Sequence, residues 1–168
     1  MAIKKIRIFG DPVLREKASE VEKIDNKIVN LINDLTDTMR NAKGAGLAAN
    51  QIGVLKKVAV IDIGEGLIKL INPKIIKKNG EIEEIEGCLS FYSLNSPINR
   101  AEKVTIITKN LEGEEVKIEA EGLLARAIQH EIDHLNGILI IDNALDEEKR
   151  KMVMELNKLK VQHGEEKF

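Results

Sequence analysis

The chain has 168 residues, 43% of them hydrophobic, which is enough for one compact core, so we expect a single domain over residues 1–168. With a formal charge of -2, three Phe, one Tyr and no Trp, a specific nucleic acid is not an expected partner. The lack of a membrane-length apolar run or signal-peptide core, and a single cysteine, Cys88, lead us to expect a cytoplasmic protein without membrane contact.

The first half of the chain is predicted to hold one helix and several strands. A short extended segment, IRIF, comes first, and a loop follows it. Apolar residues at helical spacing predict a helix over residues 26–42, with Asp25 or Asn26 as its N-cap. KKVAVIDIG and GLIKLINP are typical of strands. Within KIIKKNGEIEEI, the pair Asn79-Gly80 predicts a tight hairpin, because both residues tolerate the positive φ angles of such a turn.

The second half is predicted to hold another hairpin and two helices. KVTIITKNLEGEEVKIEAEG alternates apolar and polar residues around a turn at Glu112-Gly113. Helical spacing returns from Leu123 to Asn136, and Gly137 is placed to cap that helix. ILII is predicted to be a short strand, and residues 146–162 a final amphipathic helix. Strands grouped between helices indicate an α+β fold with largely antiparallel sheets.

The predicted helix over residues 123–136 carries the sequence HEIDH. Residues four apart share a helix face, so His130 and His134 can direct both imidazoles at one point. A metal ion would satisfy both rings, and Glu131 could reach a water on that ion without being a ligand. The alternative is one buried and one surface histidine. The glutamate in second place, in a chain with three histidines, favours the metal site, and His163 is predicted to lie at the surface.

The third ligand of such a site is less evident. A metal site that leaves one position open for water needs at least three protein ligands. The candidates are His163, the many carboxylates and Cys88, which follows Gly87 just past a predicted strand. A lone cysteine is more often a small buried apolar residue than a ligand. The residues by themselves therefore leave the third ligand open.

Three segments in series resemble the signature segments of the peptide deformylases. They are GAGLAANQ (residues 44–51), EGCLS (86–90) and QHEIDH (129–134). The similarity extends through GDPVLR, INP and AEGLLARAIQHEIDHLNGILIID, and it weakens over residues 92–99 and after about residue 151. The expected fold is α+β, with largely antiparallel sheets packed around a central HExxH helix, an N-terminal helix and a C-terminal amphipathic helix.

The resemblance implies a metal centre made by Cys88, His130 and His134, with water as a fourth ligand. In the family the ion is usually Fe(II), and Zn(II), Ni(II) or Co(II) can replace it. The sulfur and nitrogen ligands, considered alone, favour zinc. One divalent metal ion, with Fe(II) expected in the cell, is therefore the predicted cofactor.

The reaction implied is removal of the N-formyl group from the N-terminal formylmethionine of newly synthesised proteins, with release of formate. Metal-bound water attacks the formyl carbon, and Glu131 takes the water proton and delivers it to the leaving nitrogen. By the same resemblance, the Gln51 side chain and the backbone N–H of Leu89 donate hydrogen bonds to the developing oxyanion.

The resemblance also places the substrate. Gly44, Ala45 and Gly46 are expected in an extended segment that pairs with the peptide as an added strand. The aliphatic part of Glu86, with Leu124 and Ile128, is the candidate pocket for the methionine side chain. The alternative is structural: the small residues of GAGLAAN only permit close packing, and the glutamine that follows them caps a turn.

Two rival functions stay open from the sequence. One is another HExxH metallohydrolase, a peptidase or amidase, in which Cys88 takes no part. The other is a metal-stabilised module that binds the ribosome through the Lys/Glu-rich tail, residues 146–168. For the deformylase, the expected partners are N-formylmethionyl nascent peptides, with transient ribosome contact, and the expected oligomeric state is a monomer.

Overall fold

The computed structural model describes residues 2–92 and 94–163 and confirms the α+β prediction. Residues 164–168 of the predicted tail lie outside the described residues. The helices in the described part are α1 (Asn26–Asn41), α2 (Gly122–Leu135) and α3 (Asp146–Gln162). The strands there are β1 (Gly46–Ala48), β2 (Val58–Ile61), β3 (Ile68–Ile71), β4 (Lys74–Asn79), β5 (Ile82–Gly87), β6 (Asn95–Arg100), β7 (Lys103–Lys109) and β8 (Glu115–Glu121).

All the pairs between these strands are antiparallel. One sheet has the order β1-β2-β3, a second has the order β4-β7-β8, and β5 pairs with β6 in a two-stranded ribbon. In the first sheet β1 is an edge strand, whose Gly46 lies opposite Ile61 of β2. This edge lies beside the functional site.

Helix α1 agrees with its prediction to within one residue at its end. The Asp25 carboxylate accepts hydrogen bonds from the backbone N–H groups of Lys27 and Ile28, so it satisfies donors that a helix start leaves free. The apolar stripe packs with β1 and β2 in one core cluster, and it comprises Ile28, Leu31, Ile32, Leu35 and Met39.

Helix α2 carries the HEIDH sequence and packs against β1, β2 and β8. Its core face belongs to a second cluster and is formed by Ala125, Ile128, Ile132 and Leu135. Gly137 follows the helix with φ +74°, and a Cβ atom there would lie 2.5 Å from the carbonyl oxygen of Arg15. Glycine is therefore required at this end both by conformation and by space, and the predicted cap is confirmed.

The hairpin predicted at Asn79-Gly80 is wrong. Gly80 does have a positive φ of +70°, but Asn79 is the last residue of β4 and has no positive φ. Strand β4 pairs with β7, whereas β5 pairs with β6. A two-residue hairpin turn of the predicted type needs positive φ at both central residues, and with only one the chain passes from one sheet to another.

The structure also differs from the predicted secondary structure at ILII and at residues 95–100. ILII is not a strand, because residues Ile140–Asn143 form a 3-10 helix in which the Asp142 carboxylate accepts from the N–H of Leu139 at 2.9 Å. Strand β6 was not predicted, since Pro97 lies within it. Proline is tolerated there because, among the described strands, β6 pairs only with β5, so its other edge needs no N–H donors.

The extended IRIF segment and helix α3 lie near the two ends of the described residues. The extended IRIF segment lies outside the sheets, and its backbone donates from Arg7 to the carbonyl of Gln51 and from Phe9 to that of Ser90. Helix α3 spans its predicted residues and buries Met152 and Leu156. His163 is exposed, as expected. None of the helices in the described part combines the length and apolarity needed to cross a bilayer.

Candidate active site

Three separate segments meet at one point beside β1. The 3-10 helix Ala49–Ile52 follows β1 directly and carries Gln51. Strand β5 ends at Gly87 and delivers Cys88. Helix α2, packed across β1 and that 3-10 helix, presents its histidines to the same place. The fold thus brings together all three of the sequence segments singled out above.

Cys88, His130 and His134 are buried and offer ligand atoms that lie within 4.8 Å of one another. The His134 Nε2 atom lies 3.3 Å from Cys88 Sγ and 3.2 Å from His130 Nε2. Tetrahedral bonds of about 2.05 Å to nitrogen and 2.3 Å to sulfur place ligand atoms roughly 3.3–3.6 Å apart. The three side chains therefore fit one metal ion.

A hydrogen bond from Nδ1 of His130 fixes the orientation of the ring, and with it the direction of Nε2, the candidate ligand atom. Its Nδ1–H donates to Glu86 Oε2 at 2.8 Å, so Nε2 keeps its lone pair for the cluster. The Glu86 carboxylate is in turn held by two guanidinium groups, from Arg100 at 2.6 and 2.8 Å and from Arg126 at 3.1 Å. Glu86, whose aliphatic part is predicted to belong to the substrate pocket, thus uses its carboxylate to orient a ligand.

The charges around these groups shift their titration strongly. Burial acts to raise the pKa of Glu86, but hydrogen bonds from Arg100 and His130 lower it far below its ordinary value. Burial acts to lower the pKa of His130, yet the neighbouring Glu131, Cys88 and Glu86 raise it well above the ordinary value. Burial and the charge of His130 lower the pKa of His134. The surroundings of His130 thus favour a positive charge, which suits a cation at the cluster.

Glu131 lies next to the cluster and is 3% exposed. Burial raises the pKa of its carboxyl group to about 7, an effect that the charge of His130 opposes. Its Oε1 atom is buried and has no hydrogen-bond partner among the described residues. A carboxylate with a pKa near neutrality, held beside a metal site, is suited to accept and return a proton.

The side chain of Gln51 is held by its oxygen and offers its nitrogen to the site. Oε1 accepts from the N–H of Ala48 at 3.0 Å, and Nε2 donates to Ser90 Oγ at 3.0 Å and approaches Cys88 Sγ at 3.6 Å. Since the oxygen is engaged by backbone, the amide N–H groups face the cluster. Leu89 begins the 3-10 helix Leu89–Phe91, a position whose N–H has no acceptor within its own helix.

A pocket of about 420 Å³ opens beside these groups. The residues that line it include Gly44, Ala45, Gly46, Gln51, Glu86, Leu89 and Glu131, together with Cys88 and His130. Leu124 and Ile128 do not: Ile128 is fully buried in the core cluster, and Leu124 packs against that cluster. The apolar lining from α2 comes instead from Leu123 and Ala127, and Ile85 of β5 faces them. The structure therefore places neither Leu124 nor Ile128 in the wall of this pocket.

The free edge of β1 borders the same pocket. Ala45 and Gly46 face β2 through their backbone, with the N–H of Asp62 donating to the carbonyl of Ala45 at 2.9 Å. In the described residues no strand pairs with the opposite edge of β1. An extended peptide could add to that edge as a further strand.

Comparison with known proteins agrees with this geometry. The family model described as "Polypeptide deformylase" matches residues 3–151. The chain belongs to the polypeptide deformylase family. It is 53% identical over 144 residues to a peptide deformylase of Carboxydothermus hydrogenoformans, a match that covers 86% of this chain and 95% of that one. It is 54% identical over 146 residues to that of Natranaerobius thermophilus, covering 86% and 94%.

Solved structures of peptide deformylases have the same fold. The Legionella pneumophila protein superposes with a TM-score of 0.93 at 42% identity, covering 98% of this chain and 99% of that one. The Ehrlichia chaffeensis protein, in complex with actinonin, gives a TM-score of 0.90 at 33% identity, covering 94% and 98%. Membership of the deformylase family confirms the resemblance of the three sequence segments.

The residues missed from the sequence are the two buried arginines and part of the pocket wall. Arg100 and Arg126 are 8% and 6% exposed, and nothing in a single sequence indicates that both pair with Glu86. For the pocket a signal was present: Leu123 and Ala127 precede His130 by seven and three residues and so share its helix face. Both residues line the pocket, and Ala127 also packs against the core cluster.

The charge network around Glu86 should contribute to the stability of the fold. Arg100 also donates to Asp133 at 2.7 Å, so Arg100→Met removes a buried cation from two carboxylates. We expect the free energy of unfolding in urea to fall by about 3 kcal/mol, the lower end of the range for breaking a buried ion pair, because Arg126 still pairs with Glu86. The exposed Arg150 on α3 is the matched control, and Arg150→Met should change stability by less than about 0.5 kcal/mol. Equal effects of the two substitutions would contradict the role of the network.

Proposed function

We propose that the chain is a metal-dependent hydrolase that removes the N-formyl group from the N-terminal formylmethionine of newly synthesised proteins. The observation that carries this proposal is the meeting of Cys88, His130 and His134 beside the buried carboxylate of Glu131, at the wall of an open pocket. Membership of the polypeptide deformylase family supports deformylation of nascent peptides as the activity.

Cys88 Sγ and the Nε2 atoms of His130 and His134 would hold the ion. Bound there, a divalent ion supplies Lewis acidity to water and to the formyl oxygen. We propose Fe(II) in the cell, on the resemblance to the family, with Zn(II), Ni(II) or Co(II) able to take its place. The mixed sulfur and nitrogen ligands and the tautomer of His130 set by Glu86 suit each of these ions.

The protein groups around the cluster have two roles, proton transfer and stabilisation of negative charge. Glu131 takes a proton from the attacking water and delivers it to the leaving nitrogen, for which its raised pKa suits it. The Nε2–H of Gln51 and the backbone N–H of Leu89 donate to the oxygen that becomes negative as the formyl carbon is attacked. The contact of Gln51 Oε1 with Ala48 holds the amide in the orientation that this role needs.

Substrate binding uses the edge of β1 and the apolar part of the pocket. The peptide pairs with Gly44, Ala45 and Gly46 through main-chain hydrogen bonds, so its sequence is read only weakly. The methionine side chain lies against Leu123, Ala127 and Ile85. Glu86 contributes only the part of its side chain that its arginine and histidine partners leave uncovered.

We further propose that residues 1–168 act as one catalytic domain, a monomer that works in the cytoplasm. N-formylmethionyl nascent peptides are its partners. Contact with the ribosome through α3 and the following tail stays a prediction. The exposed charges of α3, with salt bridges such as that between Lys158 and Glu155, support a surface location for this helix.

The experiment compares formyl-Met-Ala-Ser with acetyl-Met-Ala-Ser under anaerobic conditions, after loading the protein with Fe(II) or Zn(II). We expect formate and a free amino terminus from the first peptide and no turnover of the second, because the added methyl group makes the carbonyl carbon both less electrophilic and harder for water to reach. Mass spectrometry of the products distinguishes deformylation from the rival peptidase activity. Cleavage of the Met-Ala bond, with the formyl group retained, would identify a peptidase and contradict the proposal.

A further inference from the structure

Gly46 begins β1 and Gly44 lies two residues before it. Backbone conformation does not explain why glycine occupies these two positions. Neither has a positive φ, whereas eight of the other glycines that the structure describes do. An L-residue could therefore adopt the backbone at both positions without strain. What excludes a larger residue must be the space into which its Cβ would point.

At Gly46 that space is occupied by the carboxylate of Glu131. A Cβ atom at this position would meet Oε2 well inside contact distance, and it would lie 3.0 Å from Cδ and 3.3 Å from Cγ. Three consecutive atoms of one side chain are thus affected, so rotation of the carboxylate alone cannot relieve the overlap. Because Glu131 is 3% exposed and its Oε1 is also buried, the side chain has little room to retreat.

We infer that Gly46 is a positioning residue for Glu131: the missing side chain leaves the space in which the carboxylate is held beside the metal cluster. The inference rests on the proposed function of Glu131 as the proton carrier. It separates the two glycines, which the sequence assigns together to substrate pairing. Gly46 still pairs through its backbone, but its lack of a side chain serves the carboxylate.

Gly44 offers the matched comparison two residues away. A Cβ atom there would lie 2.6 Å from Leu89 Cδ1 and 3.2 Å from Cγ, the outer part of a flexible side chain that lines the pocket. The same added methyl group therefore meets a movable isobutyl group at Gly44 and a buried carboxylate at Gly46. The effect of Gly44→Ala should fall mainly on KM, because it alters the pocket wall.

The test is a double-mutant cycle on the metal-loaded protein with formyl-Met-Ala-Ser. Gly46→Ala should lower kcat by about a hundredfold, the usual result of misplacing a catalytic group by about 1 Å, while metal content stays at one ion per chain. Glu131→Asp shortens the side chain by one methylene and makes room for the methyl group. In the Glu131→Asp background, Gly46→Ala should therefore cost less than about threefold, a strongly non-additive result.

A second readout does not depend on turnover. In a crystal structure of Gly46→Ala, the Glu131 carboxylate should have moved until its contact with the new methyl group reaches at least 3.4 Å. An unmoved carboxylate, or the same cost of Gly46→Ala in both backgrounds, would overturn the inference. The proposed function fails by a different result, which is normal turnover by Glu131→Gln. If Glu131→Gln lost turnover while Gly46→Ala kept normal turnover, the inference about Gly46 would be contradicted and the proposed function would still hold.

Discussion

Glu131→Gln should keep one metal ion per chain and lower kcat for formyl-Met-Ala-Ser by roughly a thousandfold, within the range for loss of a general acid-base group. The amide has the size of the carboxylate and fits the same space beside Gly46, but it cannot accept a proton. Because Glu131 donates no ligand atom to the cluster of Cys88, His130 and His134, the metal should stay bound. Steady-state kinetics with metal analysis on the same samples measures both quantities.

The control for this result is the same substitution on the surface. Glu155 lies on α3 with a side chain 52% exposed, and Glu155→Gln should leave kcat, KM and metal content unchanged. A Glu131→Gln protein that retains more than about a tenth of the wild-type kcat, with its metal bound, would contradict the proton-transfer role. Loss of metal from that variant would move Glu131 from catalysis to the metal centre.

Cys88→Ala should abolish metal binding together with activity. The substitution leaves two imidazoles, fewer ligands than an open site of this kind requires, and it removes the only thiolate, which is needed to offset part of the ion's charge. We expect metal content below about a tenth of an ion per chain after gel filtration, and no recovery when Fe(II) or Zn(II) is added.

Reconstitution of the wild-type protein provides the control. Treated with a chelator and then given Fe(II), Zn(II) or Co(II), it should regain both metal and turnover, because all three ligands are present. If Cys88→Ala bound one ion per chain and retained deformylation, the cysteine would take no part in the site. The rival interpretation, another HExxH hydrolase with an uninvolved cysteine, would then be the better one.

The helices were predictable because their signals are local. Regular apolar spacing identifies the buried face of each helix. Asp25 caps the start of α1 by accepting from N–H groups of the first turn, and Gly137 follows the end of α2 with a positive φ and one close contact, to Arg15. The hairpin at Asn79-Gly80 failed for the opposite reason. Its turn signal is local, but the pairing of β4 with β7 depends on a strand that begins more than twenty residues later.

The metal site was predictable in part from the residues and in part from the series of segments. The spacing of His130 and His134 indicates a shared target on one helix face, and the third ligand, Cys88, followed only from the resemblance. The groups that orient the ligands could not be predicted from the sequence. Arg100 and Arg126 reach Glu86 from β6 and α2, and partners so far apart in the chain leave no spacing pattern.

The pocket wall on α2 shows how a shift of one residue along a helix changes what a side chain faces. Successive residues turn by about 100°, so Leu124 and Ile128, each one residue beyond Leu123 and Ala127, face the core instead of the pocket. Counting back from His130, whose direction the cluster fixes, by three and seven residues leads to Ala127 and Leu123. Apolar spacing alone carries no such reference, so it does not separate the pocket face of a helix from its core face.

X-ray absorption spectroscopy of the zinc-loaded protein tests most directly whether one sulfur and two imidazoles hold a single ion. We expect a first shell with one sulfur at about 2.3 Å and two imidazole nitrogens at about 2.0–2.1 Å, together with one light atom from solvent. The same spectrum of Cys88→Ala, if any ion remains, should lack the sulfur. A wild-type first shell of nitrogen and oxygen alone would contradict the account.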